Sequence, residues 1–174
     1  RNYIYIPKIG SLTDERGGPL YLTYAGAHPE AIKVQVRGDS DSFSIPVLEL
    51  SNWYDQTEEQ RNSAISAYVE ELESHVKSLT GNLALNVRNA TEIATPSVLL
   101  SIPADQAWAG LKSGDSVNTL YQNVLAWEQE LFVCNKVQGI ISSDAAFDGY
   151  RYPMTTRQNI RYMRMFAGAF MYAA

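Results

Sequence analysis

The residues able to do chemistry are sparse in this chain, and their spacing does not build a complete active site. The two histidines, His28 and His75, do not form the His-Glu-x-x-His pattern, in which one helix face presents both rings to a zinc ion. No Gly-x-Ser-x-Gly elbow marks a nucleophilic serine, and neither a Gly-x-Gly-x-x-Gly nor a Walker sequence marks a phosphate loop. The residues alone therefore assign no catalytic and no metal-ligating side chain.

Single polar residues are better explained by structure than by chemistry. Asp39 and Asp41 lie in a turn sequence and supply only two of the roughly six oxygen ligands that calcium requires. Asn89 begins an Asn-Ala-Thr sequence that matches an N-glycosylation acceptor. His75 is expected to be a structural residue on the polar edge of a helix. Cys134 has no disulfide partner, and its apolar neighbours predict a buried, unreactive thiol.

Charge is distributed unevenly along the chain. The net charge of −5 argues against nucleic-acid binding, because phosphate neutralisation requires clustered Lys and Arg. Residues 149–174 nevertheless contain no acid and four arginines, namely Arg151, Arg157, Arg161 and Arg164. This segment predicts either a patch that faces an anion or a solvated face whose arginines pair with acids elsewhere.

Alternation of apolar and polar residues predicts most of the strands. The first part of the chain reads as a hairpin meander, with strands at 3–6, 20–24, 32–37 and 43–47. Later strands are predicted at 83–87 and at 97–102, where Pro103 ends the run.

Two helices are predicted from their capping residues and apolar spacing. Thr57 and Gln60 predict a capping box for a helix that extends to about residue 79, with Gly81 just beyond its end. Its apolar stripe consists of Ile65, Tyr68, Val69, Leu72, Val76 and Leu79. Asp115 is the predicted N-cap of a second helix, whose apolar residues are spread widely enough to predict burial on more than one side.

The C-terminal segment carries two predictions. Residues 160–167 fit either a helix or a strand, and the alternation of Tyr162 and Phe166 with polar or flexible neighbours favours an edge strand. Residues 157–174 are rich in Met and aromatics and have no terminating signal, which predicts that this chain is a piece of a longer protein.

These elements predict an α+β fold of two portions. Residues 1–111 form a β-sandwich-like N-terminal portion that the helix at 57–79 interrupts. Residues 112–174 begin a second portion with the helix that follows Asp115. The composition shift at residues 109–115 marks the boundary.

Four segments, in order, resemble the N-terminal half of the M60-like family of zinc metallopeptidases, the enhancin and mucin-degrading group. They are GGPLYL at 17–22, PSVLLSIP at 96–103, LAWE at 125–128 and AGAFM at 167–171. The likeness is greatest to large secreted bacterial lipoproteins. It implies that the second portion is the helical start of a zincin-type peptidase domain.

The resemblance also implies cofactor, partners and location. In this family the zinc-binding helix follows the last matched segment, so zinc belongs to the parent protein and none is bound by this chain. The parent is then a metallopeptidase, secreted or on the bacterial cell surface, whose partners are mucin or another glycoprotein and the remainder of the peptidase domain. No transmembrane run of apolar residues is expected in the chain.

Candidate substrate-binding residues follow from the same resemblance. In peptidases of this type an edge strand receives the substrate as an added strand, and residues 160–166 occupy that position. Arg161, Arg164 and Tyr162 lie there, and arginine pairs well with the sialic acid and sulfate of mucins. Trp53 is the fourth candidate.

Two other classes of function remain open from the sequence. The β-rich architecture and aromatics expected at the surface, such as Trp53 and Tyr54, also suit a non-catalytic carbohydrate-binding or adhesion module. A structural spacer within a large surface protein is the other alternative.

Overall fold

The computed structural model describes residues 43–147 and 157–161, except for the side chain of Leu85. The chain divides into two units between Phe43 and Ser44, and the described residues lie almost entirely in the second unit. Several predictions fall outside the described residues. They are the strands at 3–6, 20–24 and 32–37, and the residues His28, Asp39, Asp41, Arg151, Tyr162 and Arg164.

The helix α1, Glu58–Ser78, begins as the sequence predicts. Thr57 Oγ1 accepts a hydrogen bond from Gln60 N at 3.2 Å, and Gln60 Oε1 accepts one from Thr57 N at 2.8 Å. This reciprocal pair satisfies two of the backbone donors that a helix start leaves without partners. At the other end, Gly81 adopts a φ of 77°, a conformation that glycine enters without steric cost.

Removing the cap of α1 should produce a measurable loss of stability. We expect Thr57→Ala to lower the free energy of unfolding by about 1 kcal/mol, because the Gln60 amide loses its acceptor. Urea denaturation of this variant against Ser63→Ala, an exposed position within the same helix, isolates the cap. Equal stabilities of the two variants would contradict this assignment.

The helix α3, Ser116–Val137, starts at the predicted cap, where Asp115 Oδ1 accepts from Asn118 N at 3.0 Å. The prediction that it is buried on more than one side is wrong, because its buried residues follow one line along the helix. They are Leu120, Val124, Glu128, Phe132 and Asn135.

The prediction of a buried thiol at Cys134 is also wrong, because Cys134 is exposed. Two residues beyond the buried Phe132, it is rotated by about 200° around the helix axis and so lies on the other side of the helix from that ring. Its apolar neighbours Val133 and Val137 are exposed as well, at 56% and 83%.

Among the described residues, four strands form one mixed sheet in the order β1-β2-β3-β4. The strands are β1, Val47–Glu49; β2, Thr91–Ala94; β3, Val98–Ile102; and β4, Gln158–Arg161. The strand β1 pairs parallel with β2, β2 antiparallel with β3, and β3 parallel with β4. The strands predicted at 97–102 and from 160 onward are confirmed where they are described, whereas β2 was not predicted.

The strand predicted at 43–47 begins only at its last residue. Pro46 has no N–H to donate, and its carbonyl accepts from Glu92 N at 3.1 Å at the very start of the pairing. Within β1, Leu48 is buried and its neighbours Val47 and Glu49 are exposed.

The strand predicted at 83–87 is wrong, because this segment forms the 3-10 turn Leu83–Leu85. Asn82 Oδ1 accepts from Ala84 N at 3.1 Å, and Asn86 Oδ1 accepts from Arg88 N at 2.9 Å. These side chains satisfy nearby backbone donors that a strand would offer to a neighbour.

The short helix α2, Ala104–Leu111, was not predicted. Its first turn is capped from outside, because Asn89 Oδ1 accepts from Asp105 N at 3.0 Å. Leu111 shares one hydrophobic cluster with Leu120 of α3. The predicted boundary between residues 111 and 112 stays a prediction.

The three helices share a core with one face of the sheet. Leu48 and Ile93 lie in register on neighbouring strands and belong to the same buried cluster as Ile65 and Leu72 of α1 and Val124 of α3. The predicted α+β class is therefore confirmed. The β-sandwich-like arrangement depends on strands outside the described residues.

Candidate functional site

The strand β4 lies at one end of the described sheet and is exposed along its whole length. All four of its residues are exposed, and no strand of the described part of the chain pairs with its outer side. Gln158 N donates to Ser97 O at 2.8 Å, so this N–H points toward β3. Because N–H groups alternate in direction along a strand, those of Asn159 and Arg161 point outward. The outward N–H of Asn159 is the donor that an added strand would bind.

Along one row of side chains, burial decreases from β1 toward β4. Leu48, Ile93, Leu100 and Ile160 lie in register across the sheet, one from each strand. The first two are buried at 2% and 3% exposure, whereas Ile160 is 50% exposed. An apolar side chain thus continues the core row at this end of the described sheet.

The candidate residue Arg161 lies on the same face of the sheet as a buried acid. Ser101 of β3 is the register partner of both Arg161 and Glu92. Glu92 is 7% exposed, and its Oε1 accepts from Ser101 Oγ at 2.9 Å. This placement favours the interpretation in which these arginines face acids of their own domain.

Arg157 supports the same interpretation directly. Its guanidinium lies 3.6 Å from the carboxylate of Glu49 and donates to Ser51 Oγ. Of the four arginines in the acid-free segment, Arg157 therefore pairs with an acid from β1. Arg151, Arg164 and the candidate Tyr162 lie outside the described residues.

The candidate Trp53 does not lie at the surface, so its prediction as an exposed aromatic is wrong. The 3-10 turn Trp53–Asp55 follows β1 and turns the indole into the core, where it is 1% exposed. Its ring centroid lies 5.0 Å from that of Tyr121 and 4.3 Å from the guanidinium carbon of Arg61. Arg61 Nε also donates to Trp53 O at 2.9 Å. A glycan cannot stack on this ring in the folded state.

The buried acid Glu128 is the polar centre that sequence reasoning missed. It is fully buried, and its carboxylate accepts at least four hydrogen bonds from described residues of other elements. Oε1 accepts from Thr95 Oγ1 at 2.6 Å and Ser97 N at 3.2 Å. Oε2 accepts from Ser97 Oγ at 2.9 Å and Tyr54 OH at 2.8 Å. The sequence did contain a signal for this burial. Position 128 lies eight residues after Leu120, and residues at this spacing share the apolar face of α3.

These contacts define what Glu128 can do. A carboxylate offers about four acceptor sites, and these four donors occupy that capacity. A fully buried and saturated carboxylate is not placed to take a proton from a substrate. Glu128 therefore holds backbone and side chains in position.

A second buried polar contact joins α1 to the sheet. Thr91 Oγ1 donates to Pro46 O at 2.9 Å, so the contact of 2.8 Å between Thr91 Oγ1 and Tyr68 OH has Tyr68 as its donor. Burial raises the pKa of Tyr68 to about 12, with a smaller contribution from the charge of Glu71.

Because Tyr68 is buried, the free energy of unfolding is expected to decrease at alkaline pH. Because the folded-state pKa of Tyr68 lies above the ordinary value of 10.0, its contribution is complete below pH 10 and is lost as pH rises toward 12. We expect the full chain to lose about 3 kcal/mol more than Tyr68→Phe across that interval. Urea denaturation at stepped pH measures the difference, and parallel pH profiles for the two proteins would contradict the assignment.

The glycosylation sequence at Asn89 is engaged by the fold. Asn89 Nδ2, the atom that would carry a glycan, donates to Asp105 Oδ1 at 2.8 Å and to Leu83 O at 3.1 Å. Thr91 is fully buried. In the described structure this sequence joins α2 to the turn before β2.

No metal centre is assembled by the residues that the structure describes. Among them, no three His, Cys, Asp or Glu side chains are grouped to hold an ion. His75 Nε2 lies 2.8 Å from Arg88 O, a contact typical of the structural histidine expected there. The zinc that the resemblance implies does not fit these residues, and no hydrolytic step is assigned to them.

Two further findings bear on the class of protein. Within 43–147 and 157–161, no helix has both the length and the apolarity to cross a membrane. Comparison of the chain with protein-family models, curated proteins and solved structures found no match. The M60-like resemblance therefore depends on the sequence motifs alone.

Proposed function

We propose that this chain is the front section of a secreted or cell-surface zinc metallopeptidase that degrades mucin-type glycoproteins. In this proposal the chain supplies scaffold and the strand that receives the substrate, while the zinc ligands lie in a later part of the parent protein. The observation that carries the proposal is β4, an exposed strand at the end of the described sheet and at the position where the resemblance expects substrate to add.

The geometry of β4 suits a glycosylated peptide. An added strand is bound mainly through backbone hydrogen bonds, so its side chains need not be recognised individually. Successive side chains of that strand point to opposite faces, so glycans on neighbouring residues would point away from one another. The half-exposed Ile160 offers an apolar contact next to this edge.

The aromatic residues that suggested a carbohydrate-binding module are not available to stack on a sugar. Trp53 lies in the core, and the hydroxyl of the half-buried Tyr54 is bound to Glu128. A stacking surface for sugars requires aromatic faces that a ligand can reach.

Substitutions at Asn159 test substrate docking in the full-length protein. Asn159→Pro removes an outward N–H and leaves the N–H of Gln158 bound to Ser97, whereas Asn159→Ala changes the side chain and keeps the outward donor. We expect Asn159→Pro to lower kcat/KM for a mucin glycopeptide by about three- to tenfold, the value of one hydrogen bond, and Asn159→Ala to leave it unchanged.

Three results would overturn this proposal. One is mucin cleavage that is equal in Asn159→Pro and Asn159→Ala. The second is a full-length protein that cleaves no glycopeptide in the presence of zinc, and the third is cleavage that resists a chelator. A structural spacer would show no cleavage at all.

A further inference from the structure

The start of β4 is connected to α3 through Ser97. Glu128 of α3 accepts hydrogen bonds from both Ser97 N, at 3.2 Å, and Ser97 Oγ, at 2.9 Å. The carbonyl of the same residue accepts from Gln158 N at 2.8 Å, the first hydrogen bond of β4. We infer that Glu128 is a positioning residue for β4, because it sets the orientation of the Ser97 backbone on which the edge strand begins.

The turn that contains Ser97 needs such an anchor. Thr95 N donates to Val98 O at 2.8 Å, which closes a hairpin whose loop is Pro96 and Ser97. Two-residue hairpin loops normally use a positive φ to match the twist of the strands, and no described non-glycine residue has one. The hydrogen bonds that Thr95 and Ser97 donate to Glu128 hold the loop in its observed form.

A neighbouring contact competes for the same role. Arg157, next to Gln158, reaches Ser51 and lies 3.6 Å from Glu49 across the end of the sheet. The Glu49 side chain is 61% exposed, and ion pairs between exposed groups contribute about 0 to 1 kcal/mol. The fully buried Glu128, with its charge-assisted hydrogen bonds, is the stronger anchor.

This role has a functional consequence that depends on the proposed function. If β4 receives a peptide, Glu128 keeps the outward N–H of Asn159 in line for it. The effect of Glu128 on β4 itself requires no substrate, so the two ideas fail separately.

Hydrogen–deuterium exchange of the full-length protein tests the inference without a substrate. We expect Glu128→Gln to speed exchange of residues 157–161 by at least about tenfold, the effect of losing one charge-assisted hydrogen bond, while α1 exchanges as before. Ser97→Ala removes only the hydroxyl contact and should speed the same segment by about threefold. Glu130→Gln, an exposed acid of the same helix, is the matched control and should change nothing.

The double variant separates positioning from general destabilisation. Because Ser97→Ala and Glu128→Gln interrupt one connection, together they should speed exchange of 157–161 no more than Glu128→Gln alone. Multiplied effects, or acceleration of α1 by the same factor, would overturn the inference. So would an opening of β4 in Arg157→Gln that Glu128→Gln does not produce. An Asn159→Pro variant without effect on cleavage would count against substrate docking only.

Discussion

Replacing Trp53 with alanine is expected to lower the free energy of unfolding by about 4 kcal/mol, the largest effect of any single substitution considered for this chain. The side chain is 1% exposed and belongs to the cluster that joins β1, α1 and α3. Its removal leaves a cavity and also deprives Arg61 of the ring on which the guanidinium lies. Urea denaturation, monitored by far-UV circular dichroism, measures the loss.

Trp53→Phe is the matched control for this prediction. It keeps an aromatic ring against Tyr121 and removes less volume, so we expect a loss of only about 1 to 2 kcal/mol. The opposite pattern would identify a ligand-binding tryptophan. In that case Trp53→Ala would leave stability unchanged and would weaken binding to glycans.

Replacing Glu128 with alanine is the second large effect, an expected loss of about 3 kcal/mol in the free energy of unfolding. The substitution removes the common acceptor of Tyr54, Thr95 and Ser97. Their donor groups would then remain inside the protein without a hydrogen-bond partner and without contact with water. The loss exceeds that for an isolated hydrogen bond because several donors are left unsatisfied at once.

The matched control for Glu128 is Glu130→Ala in the same helix. Glu130 is exposed, so this variant should stay within about 0.5 kcal/mol of the unmodified protein. Equal urea midpoints for Glu128→Ala and Glu130→Ala would show that the buried contacts contribute nothing net, as happens when the cost of burying a charge cancels its hydrogen bonds.

The sequence predicted a role for only one of the two residues whose replacement is expected to have the largest effects. Trp53 was expected to bind substrate and instead holds the core together. No role was predicted for Glu128 alone. It accepts a hydrogen bond from Ser97, whose carbonyl in turn accepts one from the first residue of β4. The exposed β4 remains the feature to which the proposed function is attached.

Local sequence was enough to predict the elements whose signals lie within a few residues of one another. The capping box of Thr57 and Gln60, the cap at Asp115 and the end of β3 before Pro103 all agree with the structure. Each is determined by hydrogen bonds or steric limits between near neighbours in the chain. The strand β4 was also predicted, from alternation alone, although it begins two residues earlier than expected.

Only the tertiary structure decided which of these residues are buried and with which partners. The cap of α2 comes from Asn89, the burial of Trp53 depends on α1 and α3, and the donors to Glu128 come from the turn after β1 and from the β2–β3 loop. Cys134 was misjudged because a run of apolar neighbours does not state which side of a helix faces the core. Contacts between residues far apart in the chain depend on how elements pack against one another. Periodicity indicates which face of an element is apolar, but it does not indicate which other element covers that face.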